Sequence, residues 1–255
     1  MARKGASSSS VIPAGLQAVT FDYWNTLVYE DRGHLRGRRL QAWAGILEEA
    51  GFPVERELLD AVFDASWEKY LEAWTANQQY RAVQAAEDII EALGFDVPAG
   101  VRETLMEAFG RAGDKAALHL TDGVARCLGI LKDAGLRLGI VCDVGMTSSS
   151  TLKAHLDRHG VLDLFDAWAF SDEVGVYKPA PEIFAHVLTG MGGVAADRAA
   201  HVGDLRRTDV AGAQAMGMTS VRYTGVFDDE TQPEPEADHV VSHHDALPAA
   251  LGISV

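Results

Sequence analysis

The sequence predicts an α/β protein: a mostly parallel sheet core, interrupted after its first strand by an all-helical insert. Three observations predict this. Beyond Thr121, short apolar runs alternate with helix-like stretches; residues 30 to 116 hold helix-like stretches and almost no strand signal; and one isolated apolar run, Ala18 to Phe21, precedes them. Alternating strands and helices are the pattern of crossover units joining parallel strands. The expected organisation is a disordered tail over 1–15, a core over 16–29 and 117–255, and an inserted helical domain over 30–116.

The first apolar run reads as a short, fully buried strand with Asp22 at its carboxyl end. In the insert, RRLQAWAGILEEAG, ERELLDAVFDASWEKYLEAW, RAVQAAEDIIEALG and GVRETLMEAFGRAG have helical spacing. Their aromatics Trp43, Trp67, Tyr70 and Trp74 are expected in an ordinary helical core. Further on, RLGIVC, DAWAF, AAHVG and TSVRY read as strands, and TSSSTLKAHLDRHG, APEIFAHVLTG and TDVAGAQAMG as helices. Gly135, Gly160 and Gly217 each follow a helical run, where a left-handed residue ends the helix. DHVVS and DALPAALG supply a last strand and helix after the acidic loop DDETQPEPEAD.

The bulk numbers remove several classes of function. A chain of 255 residues can bury a large core and still carry an insert. Lys and Arg number 22 against 37 Asp and Glu, and the net charge of −15 opposes long-range attraction to nucleic acid or anionic lipid. Cys127 and Cys142 have neither CxxC spacing nor histidine neighbours in a metal pattern, so a reducing cytoplasm is expected rather than a disulfide or zinc scaffold. The opening MARKGASSSSVIPAG lacks an apolar core of secretory length, and no later stretch is apolar for long enough to span a bilayer. No membrane or nucleic-acid partner is expected, and the oligomeric state is not legible.

Chemistry in an open parallel sheet gathers beyond the carboxyl ends of its strands. Asp22 stands at one such end, and VCDVGMT (141–147), VYKPAPEIF (176–184) and HVGDLRRTDVAGA (201–213) stand at others. Gly203 allows a tight strand exit, Asp204 follows at once, and Asp209 returns near the next helix start. Three carboxylates along one sheet edge are costly unless cations neutralise them. Mg²⁺, which takes one or two carboxylates, waters and a substrate phosphate, and Lys178 are the expected sources of that charge.

With these motifs in order, the chain resembles the haloacid dehalogenase superfamily of phosphatases and related hydrolases. FDYWNTLV stands for the first motif, GIVCD for the second, YKPAPEIF for the third and GDLRRTDVAGA for the fourth. The resemblance implies a Rossmann-like core with a helical cap inserted after the first motif. It also implies a covalent intermediate on Asp22, charges steadied by Lys178, a nucleophile loop ordered by Thr26, and Mg²⁺ held by Asp22, the Trp24 carbonyl, Asp204 and Asp209. Asn25, Cys142 and Asp143 are implied beside a small phosphorylated or halogenated substrate.

Two positions depart from the family pattern. Phosphatases usually carry a second Asp two residues after the nucleophile, as acid and base; here it is Trp24, which keeps only the carbonyl role. The second motif usually offers a Ser or Thr hydroxyl, whereas Cys142 brings a weak donor and reads as a small buried residue rather than a reactive thiol. The leading expectation is a Mg²⁺-dependent phosphohydrolase or phosphotransferase. The alternatives are a metal-free dehalogenase, whose branch also has an aromatic two residues past the nucleophile, and a binding protein that has lost turnover.

Overall fold

The computed structural model describes residues 15–113, 118–230 and 235–254. All but the last residue of the expected N-terminal tail, and the expected end of the insert near 116, lie outside the described residues. The chain enters strand β1 (Ala18–Phe21) and a short β2 (Val28–Glu30), passes through helices α1 (His34–Glu49), α2 (Arg56–Thr75), α3 (Ala82–Ala92) and α4 (Ala99–Arg111), and returns in β3 (Leu118–Leu120). Then follow α5 (Val124–Asp133), β4 (Arg137–Cys142), α6 (Ser149–Arg158), β5 (Ala167–Phe170), α7 (Ser171–Val174), α8 (Pro181–Gly190) and β6 (Ala199–Gly203). The chain closes with α9 (Ala211–Met216), β7 (Thr219–Tyr223), β8 (His239–Val241) and α10 (Leu247–Ala250). Gly135, Gly160 and Gly217 have φ of 80°, 67° and 74°, the left-handed helix ends that the pattern predicts.

The six-stranded sheet has the order β5-β4-β1-β6-β7-β8 and is parallel throughout. From β1 the chain builds outward through β4 and β5, then crosses back to lay β6 on the other side of β1. The strand order therefore reverses between β1 and β6, and a crevice opens beyond their carboxyl ends. Phe21 is level with Val202, and Asp22 N–H bonds the Val202 carbonyl at 2.8 Å. That register brings Asp22 and Asp204 to the same edge. One face of the sheet packs a core that includes Leu128, Leu131, Leu152 and Leu247; the other packs Phe184, Val187 and Met191 of the α8 side.

Helices α1 to α4 gather around a separate core in which Trp43, Phe63 and Phe109 meet edge to face or tilted. The insert is not purely helical in its framing: β2 and β3 pair antiparallel, Val28 with Leu120 and Glu30 with Leu118. Three residues per strand are too few for a two-residue alternation to be visible. No helix among the described residues is long and apolar enough to cross a membrane.

Candidate active site

Asp22, at the end of β1, is buried, and its Oδ1 accepts a hydrogen bond from Lys178 Nζ at 2.5 Å. The same ammonium bonds Asp209 Oδ1 at 2.7 Å. Asp209 arrives there because Arg206–Val210 form one π-helical turn, a wide turn that recurs at functional sites. Its other oxygen accepts the Leu205 N–H at 3.0 Å. Gly203 permits the fold-back, since a Cβ there would collide with the Asp209 carboxyl. Asp204 is also buried, but among the described residues its Oδ2 accepts only the Asn25 amide at 3.1 Å; Lys178 does not bond it. Asn25 reaches it from a left-handed position in the turn, φ 56°.

Ligand oxygens of Asp22, Asp204 and Asp209 lie within 4.8 Å of one another. The electrostatics follow from three carboxylates sharing one lysine. Burial, reinforced by Asp209, raises the Asp22 carboxyl to about 7 despite Lys178. Burial, with the charges of Asp22 and Asp209, raises Asp204 well above the carboxylate range. For Asp209 burial acts the same way, but Lys178 and His201 outweigh it and hold the group below the ordinary range. Burial also lowers His201, so the ring is neutral. Its Nε2–H then donates to Asp209 Oδ1 at 3.0 Å, and its Nδ1 accepts the Thr20 hydroxyl at 2.8 Å. An oxygen-only donor set with more negative charge than one lysine balances fits a hard divalent cation.

Above these residues lies a cavity of about 550 Å³, walled by α1, α2 and the loops beyond β1, β4 and β7. Its aromatic wall is Trp24, Phe63, Trp67, Tyr70, Trp74 and Phe227. Tyr70 packs against Gly145, where a Cβ would come 2.9 Å from the ring. Trp74 Nε1–H donates to Asp143 Oδ2 at 2.8 Å, while Asp143 Oδ1 accepts the Lys178 N–H at 2.8 Å. The insert therefore sits on the carboxyl end of the sheet.

The structure brings Asp22, Trp24, Asn25, Asp143, Lys178, Asp204 and Asp209 to this cavity. Two expected site residues stay out of it. Thr26 is buried, its hydroxyl has no partner among the described residues, and it is the carbonyl that is held, by Thr121 Oγ1 at 2.7 Å and His244 Nε2 at 2.8 Å. Cys142 is fully buried one residue short of the cavity, and burial keeps its thiol protonated, so nothing in its placement supports a substrate contact.

Comparison with known proteins agrees with this geometry. A family model described as haloacid dehalogenase-like hydrolase matches residues 16–217. The chain belongs to the haloacid dehalogenase-like hydrolases. Among relatives of this hydrolase, a glyceraldehyde 3-phosphate phosphatase of Methanocaldococcus jannaschii is 37% identical over 105 residues, 39% of this chain and 44% of the relative. The pyrimidine 5′-nucleotidase YjjG of Escherichia coli is 31% identical over 116 residues, 46% of this chain and 49% of the relative. The chain thus spans less than half the length of these relatives. A 2-haloacid dehalogenase from Pseudomonas syringae superposes with a TM-score of 0.69 at 23% identity, covering 93% of this chain and 98% of that one. A phosphatase from Thermococcus onnurineus gives 0.62 at 24%, over 93% and 98%. These two likenesses establish the fold of the hydrolase.

Several cavity residues of this hydrolase lack a clear mark in the sequence. Trp67, Tyr70 and Trp74 face the cavity instead of the helical core, whereas Trp43 does lie in that core. The apolar stripe of α2 runs unbroken from Leu59 to Trp74, and periodicity does not mark where its partner changes from helices to open space. His201 and Arg39 were also not singled out. Arg39 is buried and donates to the carbonyls of Phe109 and Met146 and to the Thr147 hydroxyl.

Proposed function

We propose that the protein is a Mg²⁺-dependent phosphohydrolase or phosphotransferase that acts on small phosphorylated molecules through an aspartyl-phosphate at Asp22. The observation that carries this reading is the convergence of three buried carboxylates at the strand-order reversal, two of them bonded to a single lysine. Asp22, Asp204, the Trp24 carbonyl and Asp209 would hold the ion, whose contribution is to offset charge on the phosphoryl oxygens. The Asp22 carboxylate attacks phosphorus, the ester P–O bond breaks, and water then hydrolyses the acyl phosphate. Lys178 steadies the anionic groups and keeps Asp22 aimed. The phosphatase and nucleotidase names of the relatives support the same chemistry.

Helices α1 to α4 serve in this reading as a cap domain over residues 30–116, joined to the core through β2 and β3 and excluding water when substrate is bound. The two buried free cysteines fit a reducing cytoplasm, where we place the protein.

A second reading, displacement of halide from a haloacid by Asp22, is favoured by one observation. The Trp24 indole stands in the cavity wall where a second carboxylate would serve a phosphatase. Calorimetry with Mg²⁺, with and without a phosphate analogue, and a screen for phosphate and halide release test the two. Saturable Mg²⁺ binding with Mg²⁺-dependent phosphate release is expected. No Mg²⁺ affinity, with halide released from a haloacid, would replace the first reading by the second.

A further inference from the structure

The cavity above Asp22 offers apolar surface and few free polar groups. Its upper polar side chains are already engaged: Arg36 with Asp60 and Asp64, Arg39 with two carbonyls and the Thr147 hydroxyl, and Glu30 with the Leu35 N–H. A polyhydroxylated body such as a triose or sugar would lose its hydration there without replacement hydrogen bonds, which is unfavourable. Trp67, Leu71 and Phe227, with 48%, 38% and 42% of their surface exposed, rim this same cavity. An apolar ligand would cover them. Its volume, about 550 Å³, lies in the range that encloses a ligand larger than a triose.

A second, independent observation concerns the leaving group. Trp24 stands where the usual acid would be, and an indole ring has no proton to give in this range. Asp143 also lines the cavity, but both of its oxygens are engaged, accepting from Trp74 Nε1–H and from Lys178 N–H. It stands as an acceptor at both oxygens. With the indole lacking a proton to give and the Asp143 oxygens turned to Trp74 and Lys178, the leaving group departs on this reading as an anion and is protonated by water. A phenol, with an ordinary pKa of about 10, tolerates that far better than an alcohol.

From the wall and the missing acid together we infer that the substrate is an aryl phosphate monoester, its ring held between the α2 aromatics and Phe227. The inference rests on the phosphatase reading above. In the step, the Asp22 oxygen bonds phosphorus as the bond from phosphorus to the phenolic oxygen breaks. The electron pair leaves on the phenolate, which takes its proton from solvent.

Three esters separate the two arguments: 2-naphthyl phosphate, 2-naphthylmethyl phosphate and glycerol phosphate. The first two share the body but differ in leaving group, and the last two share an alkyl leaving group but differ in body. Expected results are kcat at least about tenfold higher for the first than the second, and KM at least about tenfold lower for the second than the third. Trp67→Ala, at a rim position with 48% of its surface exposed, should shrink the KM ratio between the second and third esters by about fivefold or more. Calorimetry adds a readout without turnover: 2-naphthylmethylphosphonate should bind more tightly than 2,3-dihydroxypropylphosphonate. Equal or reversed binding, or no binding of either, overturns the inference. Hydrolysis of all three esters with glycerol phosphate preferred overturns it while leaving the phosphatase reading standing. Tight binding of the naphthyl phosphonate with no ester hydrolysed overturns both the phosphatase reading and the substrate class, leaving only an aromatic-lined pocket.

Discussion

The indole N–H of Trp74 on α2 donates to the Asp143 carboxylate at 2.8 Å, so the helical insert is fastened to the loop that follows β4. The same carboxylate receives the Lys178 N–H, and the Trp74 ring lies 3.8 Å from the Arg207 guanidinium. One side chain of the insert thus touches the loops of two motifs, and through Asp143 it is linked to a third. Trp74→Phe keeps an apolar ring and deletes the donor. The loss of a hydrogen bond to a buried carboxylate costs about 1 to 3 kcal/mol, so the melting temperature should fall by several degrees, with KM raised more than kcat is lowered. Unchanged melting and KM would show that this bond does not hold the insert in place.

Among the described residues no lysine bonds Asp204, and burial beside Asp22 and Asp209 raises its carboxyl. Its charge is therefore a burden in the metal-free protein and useful only with a cation. Asp204→Asn should leave the metal-free melting temperature unchanged or higher while weakening Mg²⁺ binding by at least about tenfold, since a carboxylate ligand is lost. Thermal melts with and without Mg²⁺ read both effects. A large metal-free destabilisation would mean that Asp204 is a structural anchor instead.

His244 Nε2–H holds the Thr26 carbonyl at 2.8 Å, its ring stacks on Tyr223, and its Nδ1 has no partner among the described residues. Burial lowers its pKa to about 4. The folded state thus resists a proton that the unfolded chain accepts near the ordinary value of about 6.5. Stability is full above that value and declines as pH falls toward 4, by up to about 1.4 kcal/mol per pH unit. His244→Phe should flatten this decline in urea titrations. His155, also lowered to about 4 by burial, should leave a residual slope. An unaltered slope in His244→Phe would show that the decline arises elsewhere.

Trp24→Asp restores the residue that the family's phosphatases usually carry. General acid catalysis is typically worth about 10² to 10⁴ in rate. The variant should hydrolyse simple alkyl phosphates at least about tenfold faster, a conservative share of that effect because replacing a half-buried ring also loosens the loop. Steady-state phosphate release measures it. A variant that folds and binds Mg²⁺ without any gain would show that protonation of the leaving group does not limit the reaction.

The sheet and its carboxyl edge were legible because their signals are local. Strands β1, β4, β5 and β6 are largely apolar runs ended by a polar or glycine residue, and AAHVG coincides with β6 residue for residue. Asp22, Asp204 and Lys178 sit at strand ends or in the loops beyond them, where topology alone concentrates chemistry. What was not legible depends on partners distant in sequence. His201 reads as one polar residue in an apolar strand until Asp209 folds back onto it. Trp67 and Trp74 share the stripe that packs Leu59 and Phe63 into the helical core, and only the tertiary structure shows that the stripe outruns that core. The pairing of β2 with β3 rests on three residues a side and leaves no periodic trace.

The placement of β1 also governs the order in which the protein comes into being. Ala18 pairs with Arg137 on one side and Ala199 on the other, so the strand that ends in Asp22 has no partner in the six-stranded sheet until Arg137 has been made. Such distant pairings are intrinsically slow to form. The four helices emerge in the interval, with contacts that are mostly their own. Asp22 therefore leaves the ribosome long before its chemical surroundings exist, since these are complete only after Asp209 has been made.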